Sequence, residues 1–96
     1  MKKLILLLFP LLALSFGKKT TPCVFLAGDS TMAPKPAGDA PETGWGMVFP
    51  SFFDTTAVRF ENHAVNGRST KSFRDLGHWE KLIARVKPGD YVLLQF

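Results

Sequence analysis

The stretch Cys23-Val24-Phe25-Leu26-Ala27-Gly28-Asp29-Ser30 decides how the chain reads. Cys23 to Ala27 is a continuous apolar run of five residues with a β-branched and an aromatic member. That length and content favour a strand over a helix. The run has no polar alternation, so both faces of the strand must be covered, which points to a parallel sheet. Gly28-Asp29 ends the run and delivers Ser30 to the edge of that sheet.

Outward from this strand the chain alternates. Residues 33–44 hold Pro34, Pro36, Gly38 and Pro41 and read as a loop. Gly44-Trp45-Gly46 follows, and Met47 to Phe53 reads as a short helix that Pro50 limits to about two turns. Ala57 to Asn62 alternates apolar and polar residues, the pattern of a second strand. Asn62 to Ser69 is a loop with Asn66-Gly67 as its turn signal, and Ser72 to Leu76 reads as one helical turn. Trp79, Leu82, Ile83 and Val86 stand at i, i+3, i+4 and i+7, one apolar stripe of a helix that Pro88-Gly89-Asp90 stops. Tyr91 to Phe96 is a third strand. Strands that alternate with helices predict an α/β fold with a parallel sheet. Ligands of such sheets bind beyond the carboxyl ends of the strands. The chain reaches Phe96 where a site residue is expected, so it reads as part of a larger domain.

The chain has 96 residues, at most one domain. Hydrophobic residues make up 46% and charged residues 21%, a balance that excludes a disordered chain. One cysteine excludes an intramolecular disulfide framework, and Cys23 reads as a small buried hydrophobe rather than a lipidation site. Met1-Lys2-Lys3 followed by the apolar run Leu4 to Phe16 reads as a secretory signal peptide over residues 1–17, with residues 18–96 as the mature segment. The run is too short for the roughly 18 to 20 residues of a membrane span. Removing Lys2 and Lys3 from the twelve basic residues leaves ten against eight acidic ones. The formal charge of +4 is therefore partly a property of the signal, and nothing here argues for nucleic acid. The expected location is secreted or periplasmic, with no stable membrane association after cleavage.

Chemistry is expected at the strand ends. A serine hydroxyl after the first strand is a nucleophile once a general base takes its proton. Taken alone, Gly28-Asp29-Ser30 is equally an ordinary strand-to-turn junction whose side chains bond local amides. Asn66-Gly67-Arg68-Ser69-Thr70 offers an unshielded Gly67 N–H that can stabilise an oxyanion, and hydroxyls that can cap a helix. Alone, it is equally a plain turn. The chain lacks the Gly-x-Ser-x-Gly elbow and the phosphate-loop glycine pattern.

In register, these pieces resemble the SGNH (GDSL-type) hydrolases, and most closely their rhamnogalacturonan acetylesterase-like branch. Phe25-Leu26-Ala27-Gly28-Asp29-Ser30-Thr31, Gly44-Trp45-Gly46, Asn66-Gly67-Arg68-Ser69-Thr70, Lys71-Ser72-Phe73-Arg74 and Lys87-Pro88-Gly89-Asp90-Tyr91-Val92 carry the resemblance. It covers nearly everything after the signal peptide. It implies a three-layer, flavodoxin-like α/β fold of which only the first three strands are present. It implies Ser30 as nucleophile, and the N–H groups of Ser30 and Gly67 as oxyanion-hole donors. The activity implied is deacetylation of acetylated pectic polysaccharide through an acyl-enzyme, with no cofactor and no metal.

The family's third donor, an Asn in a Gly-x-Asn-Asp segment, and its base, a His in Asp-x-x-His, are missing from the pattern. Asp75-Leu76-Gly77-His78 has the spacing but lies in the crossover between strands, where the family's pair does not belong. His63 follows the second strand and reads as a loop-packing residue. Asp29 reads as a holder of the turn. The 96 residues alone are accordingly expected to be inactive. The alternative is a secreted, non-catalytic carbohydrate-binding or interaction module with Trp45 as a sugar platform, Trp79 being better explained as core.

Overall fold

The structure is a computed structural model that describes residues 21–96. The expected signal peptide lies outside the described residues. Three parallel strands, β1 (Cys23–Gly28), β2 (Arg59–Asn62) and β3 (Tyr91–Gln95), form one sheet in the order β2-β1-β3. Cys23 stands opposite Arg59 on one side, and Gly28 opposite Gln95 on the other. The run Cys23–Ala27 therefore lies in the central strand of the described sheet.

Its side chains divide by parity. Cys23, Phe25 and Ala27 pack with Phe73 and Leu82 on one face, while Leu26 packs with Met32, Ala33 and Ala64 on the other. Phe25 is 1% exposed and Leu26 0%, so both faces of β1 are covered, with only Val24 partly open. Burial on that scale stabilises by roughly 1.5–3 kcal/mol for each large side chain. Two cores on opposite faces of one sheet make the fold α/β in layers, as the apolar run predicts. Burial also pushes the Cys23 thiol pKa up.

The helices differ from expectation in informative ways. α1 (Trp45–Val48) begins two residues earlier than the Met47 start and passes into a 3-10 turn over Phe49–Phe52. Pro50 sits at the start of that turn, where its missing N–H costs no hydrogen bond. β2 starts at Arg59 rather than Ala57. The Asp54 carboxylate accepts the Thr56 N–H at 2.9 Å and the Asp54 carbonyl accepts the Ala57 N–H at 2.9 Å, so Ala57 is held in a turn. Such Asx bonding competes with strand formation.

α2 (Thr70–Asp75) is capped by Ser69, whose Oγ accepts the Ser72 N–H at 3.1 Å while Ser72 Oγ accepts the Ser69 N–H at 2.8 Å. α3 (His78–Ile83) buries Leu82, with Trp79 and Val86 packed against the same core. Ile83 does not join the predicted stripe and is 44% exposed. The chain beyond Leu82 tightens to i−3 bonds, Arg85 to Leu82 at 3.0 Å and Val86 to Ile83 at 3.2 Å. Asp90 accepts the Cys23 N–H at 2.9 Å and the Lys87 N–H at 2.8 Å, tying the start of β1 to the turn before β3. The Cys23 N–H, then that of Lys87, hold the Asp90 carboxyl below its ordinary pKa.

Candidate active site

Backbone bonds bring the carboxyl ends of the three strands together. The Val65 N–H donates to the Gly28 carbonyl at 3.0 Å, and the Asp29 N–H donates to the Gln95 carbonyl at 3.3 Å. Gly28 is required by this junction. A Cβ there would run into the Gln95 carbonyl oxygen. The space that glycine leaves beside the serine turn is thus filled by the β3 backbone.

The turn after β1 is held by its own residues. The Met32 and Ala33 N–H groups donate to the Asp29 carbonyl at 3.1 and 3.0 Å. The Asp29 carboxylate accepts the Thr31 N–H at 3.1 Å and the Thr31 hydroxyl at 2.9 Å. These bonds, the Thr31 N–H first, lower the Asp29 pKa, so the group is an anionic acceptor in the service of the turn. Thr31 Oγ also sits 3.0 Å from Gln95 Oε1, and Trp45 Nε1 donates to the same oxygen. Ser30 is exposed at the apex of this frame. Among the described residues, neither its N–H nor its Oγ makes a hydrogen bond.

The second turn lies at the end of the neighbouring strand. Pairing continues past β2 through the His63 N–H, which donates to the Leu26 carbonyl at 2.8 Å. Asn62 then fastens this chain to the serine loop, donating from Nδ2 to the Met32 carbonyl at 3.2 Å and accepting the Ala64 N–H at 3.1 Å. Gly67 follows in the turn with φ of +71°, a left-handed conformation that disfavours any residue with a Cβ. It is exposed, and its N–H is free of partners among the described residues. Ser69 caps α2 immediately afterwards, as its sequence position suggests.

Lys35 joins the two turns. Its Nζ donates to the Ser30 carbonyl and, at 2.7 Å, to Asn66 Oδ1. Sequence reasoning missed it because a lysine between two prolines in a charged loop reads as solvated. It also missed the role of the Gln95 side chain, whose partners lie 50 and 64 residues away. The one available signal for Lys35 was the Pro34-Lys35-Pro36 frame itself.

The histidines are engaged elsewhere. His63 Nε2 lies 2.9 Å from Glu61 Oε1, and its ring packs against Phe25 with centroids 5.8 Å apart. Arg85 holds the same carboxylate with two bonds of 2.6 and 2.8 Å, and chiefly through them the Glu61 pKa falls to about 2. His63 is therefore the loop-packing residue that the sequence suggests. His78 packs on Phe73 at 5.3 Å, while Asp75 pairs with Lys71 one helical turn away. The Asp75–His78 spacing thus belongs to helix packing. Trp79 lies against the core, and Trp45 packs edge-on to Phe49 at 5.5 Å. Among the described residues no group of three or more His, Cys, Asp or Glu side chains could hold a metal ion.

No protein-family model matches the chain. Individual proteins do. The chain is 45% identical over 73 residues to a rhamnogalacturonan acetylesterase of Bacillus subtilis (strain 168), covering 76% of this chain and 31% of that protein. It is 34% identical over 73 residues to a rhamnogalacturonan acetylesterase of Emericella nidulans, covering 76% of this chain and 26% of the relative. The structure is similar to the crystal structure of YxiM from Bacillus subtilis, which is named an uncharacterized esterase. The TM-score is 0.72 at 32% identity, over 80% of this chain and 22% of that one. The chain spans less than a third of the length of these relatives. By motifs, sheet and relatives alike, the described residues form an SGNH-type, rhamnogalacturonan acetylesterase-like stretch of chain.

Proposed function

We propose that this chain supplies the nucleophile and two oxyanion donors of a secreted serine esterase that removes acetyl groups from acetylated rhamnogalacturonan. The observation that carries the reading is the pair of turns. An exposed serine whose Oγ and N–H have no partner among the described residues stands at one strand end. A left-handed Gly67 whose N–H has no partner among the described residues stands at the end of the adjacent strand. The acetylesterase names of the relatives support the reaction and the substrate.

In this reading Ser30 Oγ attacks the acetyl carbonyl and the carbonyl oxygen becomes an oxyanion. The Ser30 and Gly67 N–H groups receive that charge, and such donors typically contribute 10²–10³ in rate each. Collapse expels the sugar hydroxyl and leaves an acetyl-serine, which water hydrolyses. A histidine must take the serine proton, pass it to the departing sugar oxygen, and then activate the water. Both histidines of these 96 residues are committed to packing, so the base is contributed by residues outside them. The 96-residue chain alone is therefore inactive. Residues 1–17 carry the protein out of the cytoplasm to its polymer. The carbohydrate-module alternative has less support, because Trp45 is tied to Gln95 and Phe49 and Trp79 to the core.

The test is acetate release from acetylated rhamnogalacturonan by the full-length gene product. The Ser30→Ala variant should lose at least about 10³-fold in kcat. Sugar binding without acetate release, unaffected by Ser30→Ala, would instead identify a binding module.

A further inference from the structure

We propose that Lys35 is a positioning residue that sets the separation of the serine turn and the oxyanion turn. The inference rests on the esterase reading above and deepens it. Lysine is almost never fully buried unless it is paired, and its head group normally stays in water. Lys35 is 9% exposed and ranks with the buried residues. Its ammonium group has found two acceptors, the carbonyl oxygen of Ser30 and the side-chain oxygen of Asn66. One acceptor belongs to the nucleophile itself, and the other to the residue just before Gly67. Those residues are 5 and 31 positions away from Lys35, so the bridge links two turns that are remote in sequence.

The backbone of Lys35 is prepared for this. Pro36 follows it, which restricts Lys35 to extended conformations, and the Lys35 N–H points at Met47 Sδ at 3.3 Å. A four-carbon side chain held at its root loses less freedom on reaching inward. The other connections to the two turns are made lower down. Asn62 grips Met32, and Val65 grips Gly28. Neither of these hydrogen bonds is made to Ser30 or Asn66, and among the described side chains Lys35 alone bonds to both. Oxyanion-hole donors must lie about 2.7–3.1 Å from the oxygen they stabilise, and a misplacement of about 1 Å can cost about 10²-fold in rate. Both acceptors of Lys35 are groups that do not react, so its contribution is geometry. Its charge also adds to the forces that keep Asp29 anionic.

The experiment is a double-mutant cycle in the full-length gene product, with kcat and KM on acetylated rhamnogalacturonan. Lys35→Met and Asn66→Ala should each lower kcat about 10- to 100-fold, with KM changed less than about twofold. The double variant should be no worse than the poorer single one, because both remove one bridge. Asn66→Asp keeps an acceptor for the ammonium and should retain most of the activity. Asn66 is exposed, so its variants decide the matter even where Lys35→Met fails to fold. Unchanged kcat in Asn66→Ala, or losses that multiply in the double variant, overturn the proposal. Ser30→Ala is run beside them. If it stays active, the esterase reading itself fails. If it is dead while the Asn66 variants are unimpaired, only the bridge fails.

Discussion

β1 and β3 are both mainly apolar runs and have different surroundings. Phe25, Leu26 and Ala27 are covered on both faces. On β3, Tyr91 is 63% exposed and Leu94 60%, although Val92 lies against the same core as Phe25. β3 pairs with β1 along one edge only, and among the described residues nothing pairs with its other edge. Two apolar runs thus read alike as buried strands and differ in what they expose, 1% for Phe25 against 60% for Leu94. An apolar run specifies that a strand is to be covered, while its neighbours determine whether it is.

The contrast yields a graded set of expectations, each a shift in the urea unfolding midpoint of the purified full-length protein. Phe25→Ala should have the largest effect, about 3–5 kcal/mol, because it opens a cavity in a strand packed on both faces. Gly28→Ala comes next at about 1–3 kcal/mol, because the new methyl displaces the β3 backbone from β1. Glu61→Gln should cost about 1 kcal/mol at neutral pH, since it breaks the fork to Arg85 that fastens β2 to the end of α3. The Glu61 pKa is depressed in the folded state, so that contribution is present above about pH 4.5 and is lost as pH falls toward about 2. The wild-type midpoint should therefore decline over that window, and the Gln variant should decline less. Leu94→Ala should be smallest, under about 0.5 kcal/mol, because the side chain is 60% exposed. A Leu94→Ala effect as large as that of Phe25→Ala would show β3 to be covered in the full-length protein, and the contrast would dissolve.

Much of this architecture was legible in the residues. The non-alternating run Cys23–Ala27 foretold a strand buried on both faces in a parallel sheet, and Asn66-Gly67 with Ser69 foretold a turn and a cap. What escaped were features set by distant partners or by local winding. Ile83 fits the helical stripe by spacing yet is 44% exposed, while Val86 at the end of the same stripe reaches the core. Ala57 continues the alternation of β2 yet is held by the Asp54 turn. In the site, the strand-end residues announced themselves, whereas Lys35 and Gln95 act across 31 to 64 residues and leave no local pattern. The need for Gly28 was visible, but its cause, the approach of the Gln95 carbonyl, required the third strand.

The central claim is that Ser30 is the nucleophile, and the most direct measurement is covalent trapping. The full-length gene product is incubated with a fluorophosphonate, digested, and the modified peptide identified by mass spectrometry. The account predicts one adduct per chain, on Ser30, with acetate release lost in step. An adduct confined to another residue, or full esterase activity after Ser30 is blocked, would contradict it.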